Sequence, residues 1–147
     1  MDFTIVPMTA AHLDQVEALE RLCFSDPWSG KALTAMVEDE NVVSLAAVDE
    51  AGLLLGYVSL QTVLDEGYIN NVAVRPEARR QGVATALLRE LRRRGGALAF
   101  LTLEVRASNQ GARTLYANLG YREAGRRRGY YVHPKEDAII MTLELKK

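Results

Sequence analysis

Three residues in the second half of the chain, Glu104, Asn109 and Tyr116, have the types and spacing that chemistry needs. Glu104 interrupts the apolar run Leu101-Thr102-Leu103-Glu104-Val105, which puts a carboxylate near the end of a strand otherwise made to be buried. Burying an unpaired carboxylate is costly, and desolvation would raise its pKa toward the range of a general base at neutral pH. The plainer alternative is an ion pair with Arg106 or Arg122. Asn109 and Tyr116 lie seven residues apart, two helical turns, and so point to one side of a helix. That side can differ from the one carrying Ala112, Leu115 and Leu119. Tyr116 is then either a packing residue or a hydroxyl presented to a cleft. In the second case an amide is available to hold a cofactor and a phenol to donate a proton.

A second group of residues suits an anion. From Asn70 to Ala84 the chain reads as a strand, a tight basic loop and a helix start, with Arg79, Gly82 and Ala84 matching the pattern Arg/Gln-x-x-Gly-x-Gly/Ala. A small residue lets the backbone approach a ligand while the first N–H groups of the helix are still unpaired. Those donors and the positive end of the helix dipole favour phosphate oxygens. Alone, such a segment is as often only a turn.

The elements that must position these groups follow from periodicity and turn chemistry. Phe3 to Val6 reads as a strand, and Thr9 as the cap of a helix with Leu13, Val16, Leu19 and Leu22 on its apolar face. Phe24-Ser25-Asp26-Pro27-Trp28 interrupts it. Ser29 is placed to cap a second helix carrying Leu33, Met36 and Val37, with Trp28 and Leu33 as a hydrophobic staple. Strands are expected over Val42 to Val48, Leu53 to Val63 and Tyr68 to Val74, joined by hairpin-length turns and therefore antiparallel. The polar pair Asn70-Asn71 breaks the alternation of the third and predicts a β-bulge that splays it from its next neighbour. The helix after the basic loop carries Val83, Leu87, Leu88 and Leu91 and stops at Gly95-Gly96. Leu98 to Val105 is nearly continuous apolar sequence, expected as a strand covered on both faces and parallel to Tyr68–Val74. Ser108 is expected to cap the next helix, closed by Gly120, and strands over Tyr121 to Tyr131 and Ala138 to Leu145 complete the chain. This is a single α+β domain over residues 1–147: a mixed, mostly antiparallel sheet flanked by helices, whose one parallel pair straddles the basic loop. Ligands favour the carboxyl ends of such strands.

Composition excludes several classes of function. With 48% hydrophobic and 25% charged residues and no apolar run near the ~20 a membrane span needs, the chain reads as a soluble globular domain. Met1 to Pro7 lacks a basic leader followed by an apolar stretch, so a cytoplasmic location is expected and no membrane partner. Cys23 is the only cysteine and His12 and His133 the only histidines, which leaves no internal disulfide and little from which to build a metal site. Cys23 itself reads as a small buried hydrophobe. A net charge of −1 argues against a general nucleic-acid binder. The arginine runs Arg92 to Arg94 and Arg126 to Arg128 are most simply solvated faces, with attraction of a polyphosphate cofactor a secondary role.

Four segments taken together carry a resemblance: Asn71-Val72-Ala73-Val74, Arg79-Arg80-Gln81-Gly82-Val83-Ala84, Leu103-Glu104-Val105-Arg106-Ala107-Ser108-Asn109 and Leu115-Tyr116-Ala117-Asn118-Leu119-Gly120-Tyr121. In order and spacing they resemble the signature of the Gcn5-related N-acetyltransferases. Asp26-Pro27-Trp28-Ser29 and the tail from Arg127-Arg128-Gly129-Tyr130-Tyr131 through Glu136 to Met141 extend the likeness to the bacterial ribosomal-protein-alanine acetyltransferases. The resemblance implies the acyl-CoA N-acyltransferase fold and acetyl-CoA as cosubstrate, with no metal. It implies that backbone groups of Val72, Ala73 and Val74 pair with the pantetheine arm. The loop of Arg79, Arg80, Gln81, Gly82, Val83, Ala84 and Thr85 would hold the pyrophosphate, and Asn109 and Tyr116 would also meet the cofactor. It matches Glu104 to the general base and Tyr116 to the acid that protonates the departing thiolate. Phe24, Pro27, Trp28, Asn71, Tyr130 and Tyr131 would line the groove for an acceptor peptide, the N-terminal segment of a ribosomal protein, with the N-terminal alanine of small-subunit protein eighteen as the acetylated residue. Adjacent Tyr130 and Tyr131 cannot both be buried in one core, since strand neighbours point to opposite faces. Two alternatives stand beside this reading: an enzyme of the same fold acting on a lysine or a small amine, and a non-catalytic acetyl-CoA-binding module. The presence of both Glu104 and Tyr116 argues against the module.

Overall fold

A computed structural model describes residues 2–146. Seven strands form one sheet in the order β1-β2-β3-β4-β5-β7-β6, where β1 is Phe3–Pro7, β2 Val42–Asp49, β3 Leu54–Val63, β4 Glu66–Val74, β5 Phe100–Arg106, β6 Arg122–Val132 and β7 Lys135–Glu144. Every neighbouring pair is antiparallel except β4 and β5. The parallel step is forced by what lies between those two strands, the 12-residue helix α3 (Val83–Arg94), because a crossover of that length returns the chain in the same direction. The β2–β3 hairpin is closed by Asp49, whose Oδ1 accepts from the N–H groups of Ala51 and Leu53, both at 2.9 Å.

The remaining helices are α1 (Leu13–Cys23), α2 (Gly30–Glu38) and α4 (Gln110–Asn118). α1 and α2 cover one face of the sheet, where Val16, Leu19, Leu33 and Met36 pack with Ala46, Tyr57 and Ala73. On the other face α3 supplies Val83, Leu87, Leu88 and Leu91 and α4 supplies Tyr116, packed on Val58, Leu60, Ile69, Leu101, Leu103 and Met141. Ser29 caps α2 as expected, its Oγ accepting from Ala32 N–H at 3.1 Å, and Trp28 packs into the cluster that contains Leu33.

Four expectations are corrected by packing. Thr9 caps a short 3-10 turn, Ala10–His12, that leads into α1, instead of α1 itself. Leu22 is 58% exposed, because the face of α1 that meets the sheet runs through Val16, Leu19, Glu20 and the half-buried Cys23. β5 is buried on one face only: Leu101, Leu103 and Val105 face α3 and α4, while Phe100, Thr102, Glu104 and Arg106 are half-exposed on the other. Asn109, not Ser108, caps α4, with its Oδ1 accepting from Ala112 N–H at 3.1 Å.

Candidate active site

β4 and β5 are joined only where they begin, with Glu66, Gly67 and Tyr68 paired to Phe100, Leu101 and Thr102. Beyond that the ladder stops, although β4 runs on to Val74 and β5 to Arg106, so the strands diverge into a gap. The cause lies in β4. Its register with β3 jumps from Ser59↔Asn71 to Leu60↔Ile69, leaving Asn70 unpaired as the bulged residue. The extra residue inverts the faces: Ile69 packs under α3 and α4, whereas Asn71, two residues on, faces α1. Two residues past the last β4–β5 pair lie Asn70 and Glu104, one on each wall of the gap.

Glu104 is less buried than its neighbours predict. Its side chain is 30% exposed and its Oε1 lies 3.2 Å from Arg127 Nε, so the ion pair is with neither Arg106 nor Arg122. Arg127 sits on β6, whose sequence distance from Glu104 hid the pairing. The same carboxylate raises the pKa of the nearby Tyr130 phenol. Tyr131 stands with its ring 5.1 Å from that of Tyr130, edge to face, and the Arg106 guanidinium lies 4.3 Å from the Tyr131 ring centroid. Tyr130 is exposed and Tyr131 half-buried, so the pair does not share one core; their rings still meet where β6 slips against β7 between Arg127 and Tyr131 and Gly129 takes φ +62. Burial, helped by Tyr130 and Glu104, pushes the Tyr131 phenol up to about 12.

Tyr116 is the most buried residue of α4, 7% exposed, while Ala112, Leu115 and Leu119 are only partly covered. The core face of the helix is thus the tyrosine's own. Burial, with Tyr131 nearby, pushes its phenol up to about 12. A hydroxyl held that far above neutral pH keeps its proton and is present as a donor. Asn109 precedes the helix instead of lying on it, so its alignment with Tyr116 does not rest on helical spacing.

The basic loop has the geometry of an anion cradle. Arg80 and Gly82 both adopt positive φ, +63 and +82, and Gly82 is the N-cap of α3 without contributing a side-chain cap. Alternating backbone of this kind turns successive N–H groups to one side. The first loop–helix bond is Ala86 N–H to Gly82 C=O, so the amides of Val83, Ala84 and Thr85 precede the helical ladder. A Cβ placed on Gly82 would meet nothing within 4 Å, which leaves room above the loop. Such unpaired donors suit an anion. Arg79 is turned the other way, its Nε donating to the Val74 carbonyl at 3.3 Å, which occupies one of the β4 backbone groups expected for pantetheine.

Two loops border the gap on the α1–α2 side and touch each other. Asp26 lies 3.0 Å from His133 Nδ1, and Ser25 Oγ donates to the His133 carbonyl. Arg106 donates from below to the carbonyls of Pro134 at 2.9 Å and His133 at 3.1 Å. Phe24 (37% exposed) and Tyr130 (49% exposed) remain open to solvent in this region, while Trp28 and Tyr131 are half-buried.

One functional candidate escaped the sequence. Glu20 is fully buried, with Oε1 accepting from Trp28 N–H at 2.8 Å and Oε2 from the Tyr57 hydroxyl at 2.6 Å. Burial is the main cause that raises its pKa. The available signal was its position, four residues after Val16 and three before Cys23 on the apolar face of α1.

A mixed sheet split between its one parallel pair, with an anion-binding turn at the mouth of the split, is the framework of an acyl-CoA-dependent acyltransferase. The model of the acetyltransferase (GNAT) family matches residues 13–121, and the chain belongs to that family. It is 38% identical over 148 aligned positions to the ribosomal protein bS18-alanine N-acetyltransferase of Escherichia coli, covering 97% of each chain. The crystal structure of the ribosomal-protein-S18-alanine N-acetyltransferase from Escherichia coli superposes with a TM-score of 0.90 at 35% identity, covering 99% of this chain and 96% of that one. Arabidopsis thaliana NAA60 in complex with acetyl-CoA shares the fold, with a TM-score of 0.90 at 22% identity and 98% and 99% coverage. No helix among the described residues is long and apolar enough to cross a membrane, and none of their His, Cys, Asp or Glu side chains group in threes that could hold a metal ion.

Proposed function

We propose that this chain transfers the acetyl group of acetyl-CoA to the N-terminal α-amine of a protein, with the N-terminal alanine of ribosomal protein bS18 as the acceptor and the bacterial cytoplasm as the setting. The observation that carries the chemistry is the β4–β5 gap with Glu104 on one wall and the free amides of α3 at its end, with Tyr116 buried in the core on the α4 side of β5. The likeness to bS18-alanine N-acetyltransferases over nearly the whole chain supports the acceptor.

Acetyl-CoA supplies an acetyl group already activated as a thioester. The loop from Arg80 to Thr85 binds its pyrophosphate through backbone N–H groups, and Val72 with the Ala73–Val74 backbone lies along its pantetheine arm. Asn109 spends Oδ1 on its own helix, which leaves Nδ2 as the end that meets the cofactor. Glu104 takes the proton that the amine must lose, directly or through water. As the new C–N bond forms and the C–S bond breaks, Tyr116 gives its proton to the sulfur. An α-amine suits so modest a base: its pKa of about 7.7–8.0 against ~10.4 for lysine makes the neutral nucleophile cheaper by roughly 3.4 kcal/mol at pH 7. Phe24, Pro27, Trp28, Asn71, Tyr130 and Tyr131 line the approach of the peptide.

The test is a peptide beginning with alanine followed by basic and aromatic residues, incubated with acetyl-CoA and read by mass spectrometry. One acetyl group on the α-amine is expected, and none on the same peptide with its α-amine blocked and its lysines free. Efficient acetylation of the blocked peptide would replace this reading with that of a lysine acetyltransferase.

A further inference from the structure

A buried carboxylate normally answers to a cation. Glu20, with 0% of its surface exposed, instead collects hydrogen-bond donors from three other parts of the fold: Trp28 N–H from the α1–α2 loop, the Tyr57 hydroxyl from β3, and Asn71 Nδ2 from the β4 bulge at 3.4 Å. Asn71 Nδ2 also donates to the Tyr57 oxygen at 2.7 Å. The arrangement joins the acceptor-side loop to the strand that opens the gap.

The Trp28 N–H and Tyr57 hydroxyl oppose burial by stabilising the ionised form of Glu20, and in that form the chemistry of these groups fixes the direction of every bond. An ionised carboxylate only accepts. The single proton of Tyr57 is therefore committed to Glu20 Oε2, and the phenol oxygen must receive its second bond from a donor. Only the NH2 end of Asn71 can supply it. An asparagine amide whose two ends differ by one isoelectronic exchange is ordinarily free to flip, but here the flip would set a carbonyl oxygen against an oxygen that has no proton left. We propose that Glu20 is a positioning residue: through Tyr57 it fixes the Asn71 amide with Nδ2 inward and Oδ1 as the free acceptor for the N–H of the incoming amine, and through Trp28 it sets the facing loop. This role rests on the α-amine reading above. An N–H of the acceptor needs an oxygen to meet it, and an inward-turned Oδ1 would offer it a competing donor.

Glutamine at position 20 separates direction from shape, because its amide both accepts and donates and so no longer prescribes which end of Asn71 faces Tyr57. For Glu20→Gln the peptide KM should rise about 10- to 100-fold, the effect of losing one well-placed hydrogen bond, with little change in kcat. Acetyl-CoA affinity should stay within about twofold, and in an Asn71→Ala background Glu20→Gln should add no more than about twofold to the peptide KM. In 15N-labelled wild type, the Asn71 side-chain NH2 protons should exchange with solvent far more slowly than those of exposed Asn70, and Glu20→Gln should abolish the difference. If Glu20→Gln fails to fold, Tyr57→Phe cuts the same relay and is read by the same KM and exchange measurements. A wild type that acetylates no peptide α-amine overturns the proposed function. A wild type that does so, with the effects of Glu20→Gln and Asn71→Ala multiplying or with Asn71 exchanging as fast as Asn70, overturns the role of Glu20 alone.

Discussion

Replacing Tyr116 with phenylalanine removes one oxygen from a ring that is 7% exposed and belongs to the larger core cluster. The ring, its contact with Tyr121 at 6.1 Å between centroids and the core around it all remain, so the fold should tolerate the change to within about 1 kcal/mol at neutral pH. The chemistry should not. A positioned acid is worth roughly 10²–10⁴-fold, and kcat should fall by that factor while calorimetry finds acetyl-CoA affinity unchanged. Burial holds the phenol at about 12, which gives the pH dependence a definite sign. The raised value means that folding retains the proton, so the group's stabilisation is complete below the unfolded pKa near 10 and is lost as pH rises through about 12, an effect of about 3 kcal/mol. Chemical denaturation from pH 9 to 12 should show the wild type losing more stability than Tyr116→Phe across that window. The wild-type rate should likewise show no loss of its acid below about pH 11. Wild-type kcat in Tyr116→Phe, or an alkaline fall in rate near pH 9 that disappears in the variant, would refute the assignment.

Three further outcomes are expected. Glu104→Gln should lower kcat/KM for the peptide by roughly 10²–10⁴-fold near pH 7, and a pH series should show the loss shrinking as the α-amine deprotonates unaided above ~8. Gly82→Ala meets no neighbour within 4 Å but must hold φ +82, a strain of about 1–2 kcal/mol; calorimetry should show weaker acetyl-CoA binding, and unchanged affinity would mean that the left-handed turn does not shape the phosphate site. Tyr131→Ala should raise the peptide KM severalfold with acetyl-CoA affinity unaffected, and steady-state kinetics with each substrate varied in turn would reveal the reverse if the ring serves the cofactor.

Much of this fold was legible because its signals are local. The hairpin turns, the serine cap of α2 and the basic loop before α3 each lie within a few residues of the structure they specify. The bulge was legible too, since two polar residues in an alternating strand leave a visible break, and the structure places the unpaired residue at Asn70. The misreadings share a different cause. Ser108 and Asn109 are both good cap residues, and choosing between them depends on where the chain turns after β5. The Glu104 partner is Arg127, 23 residues away on a strand that reaches β5's neighbourhood only through β7.

Glu20 shows why the acceptor side is harder to read than the cofactor side. Phosphate recognition uses backbone donors, and the sequence betrays them through the small residues and glycine that such a backbone requires. The acceptor side would be set by side chains gathered from α1, β3 and β4, positions 20, 57 and 71, whose spacing carries no period. What the helical pattern does disclose is an anomaly, a charge at a core position, and such a charge survives only if the fold supplies it with partners. Each partner of Glu20 is a donor, drawn from the α1–α2 loop, β3 and the β4 bulge. A carboxylate there therefore sets more than the seat of α1. It determines which atoms of Trp28, Tyr57 and Asn71 are spent internally, and by subtraction which remain to meet a peptide.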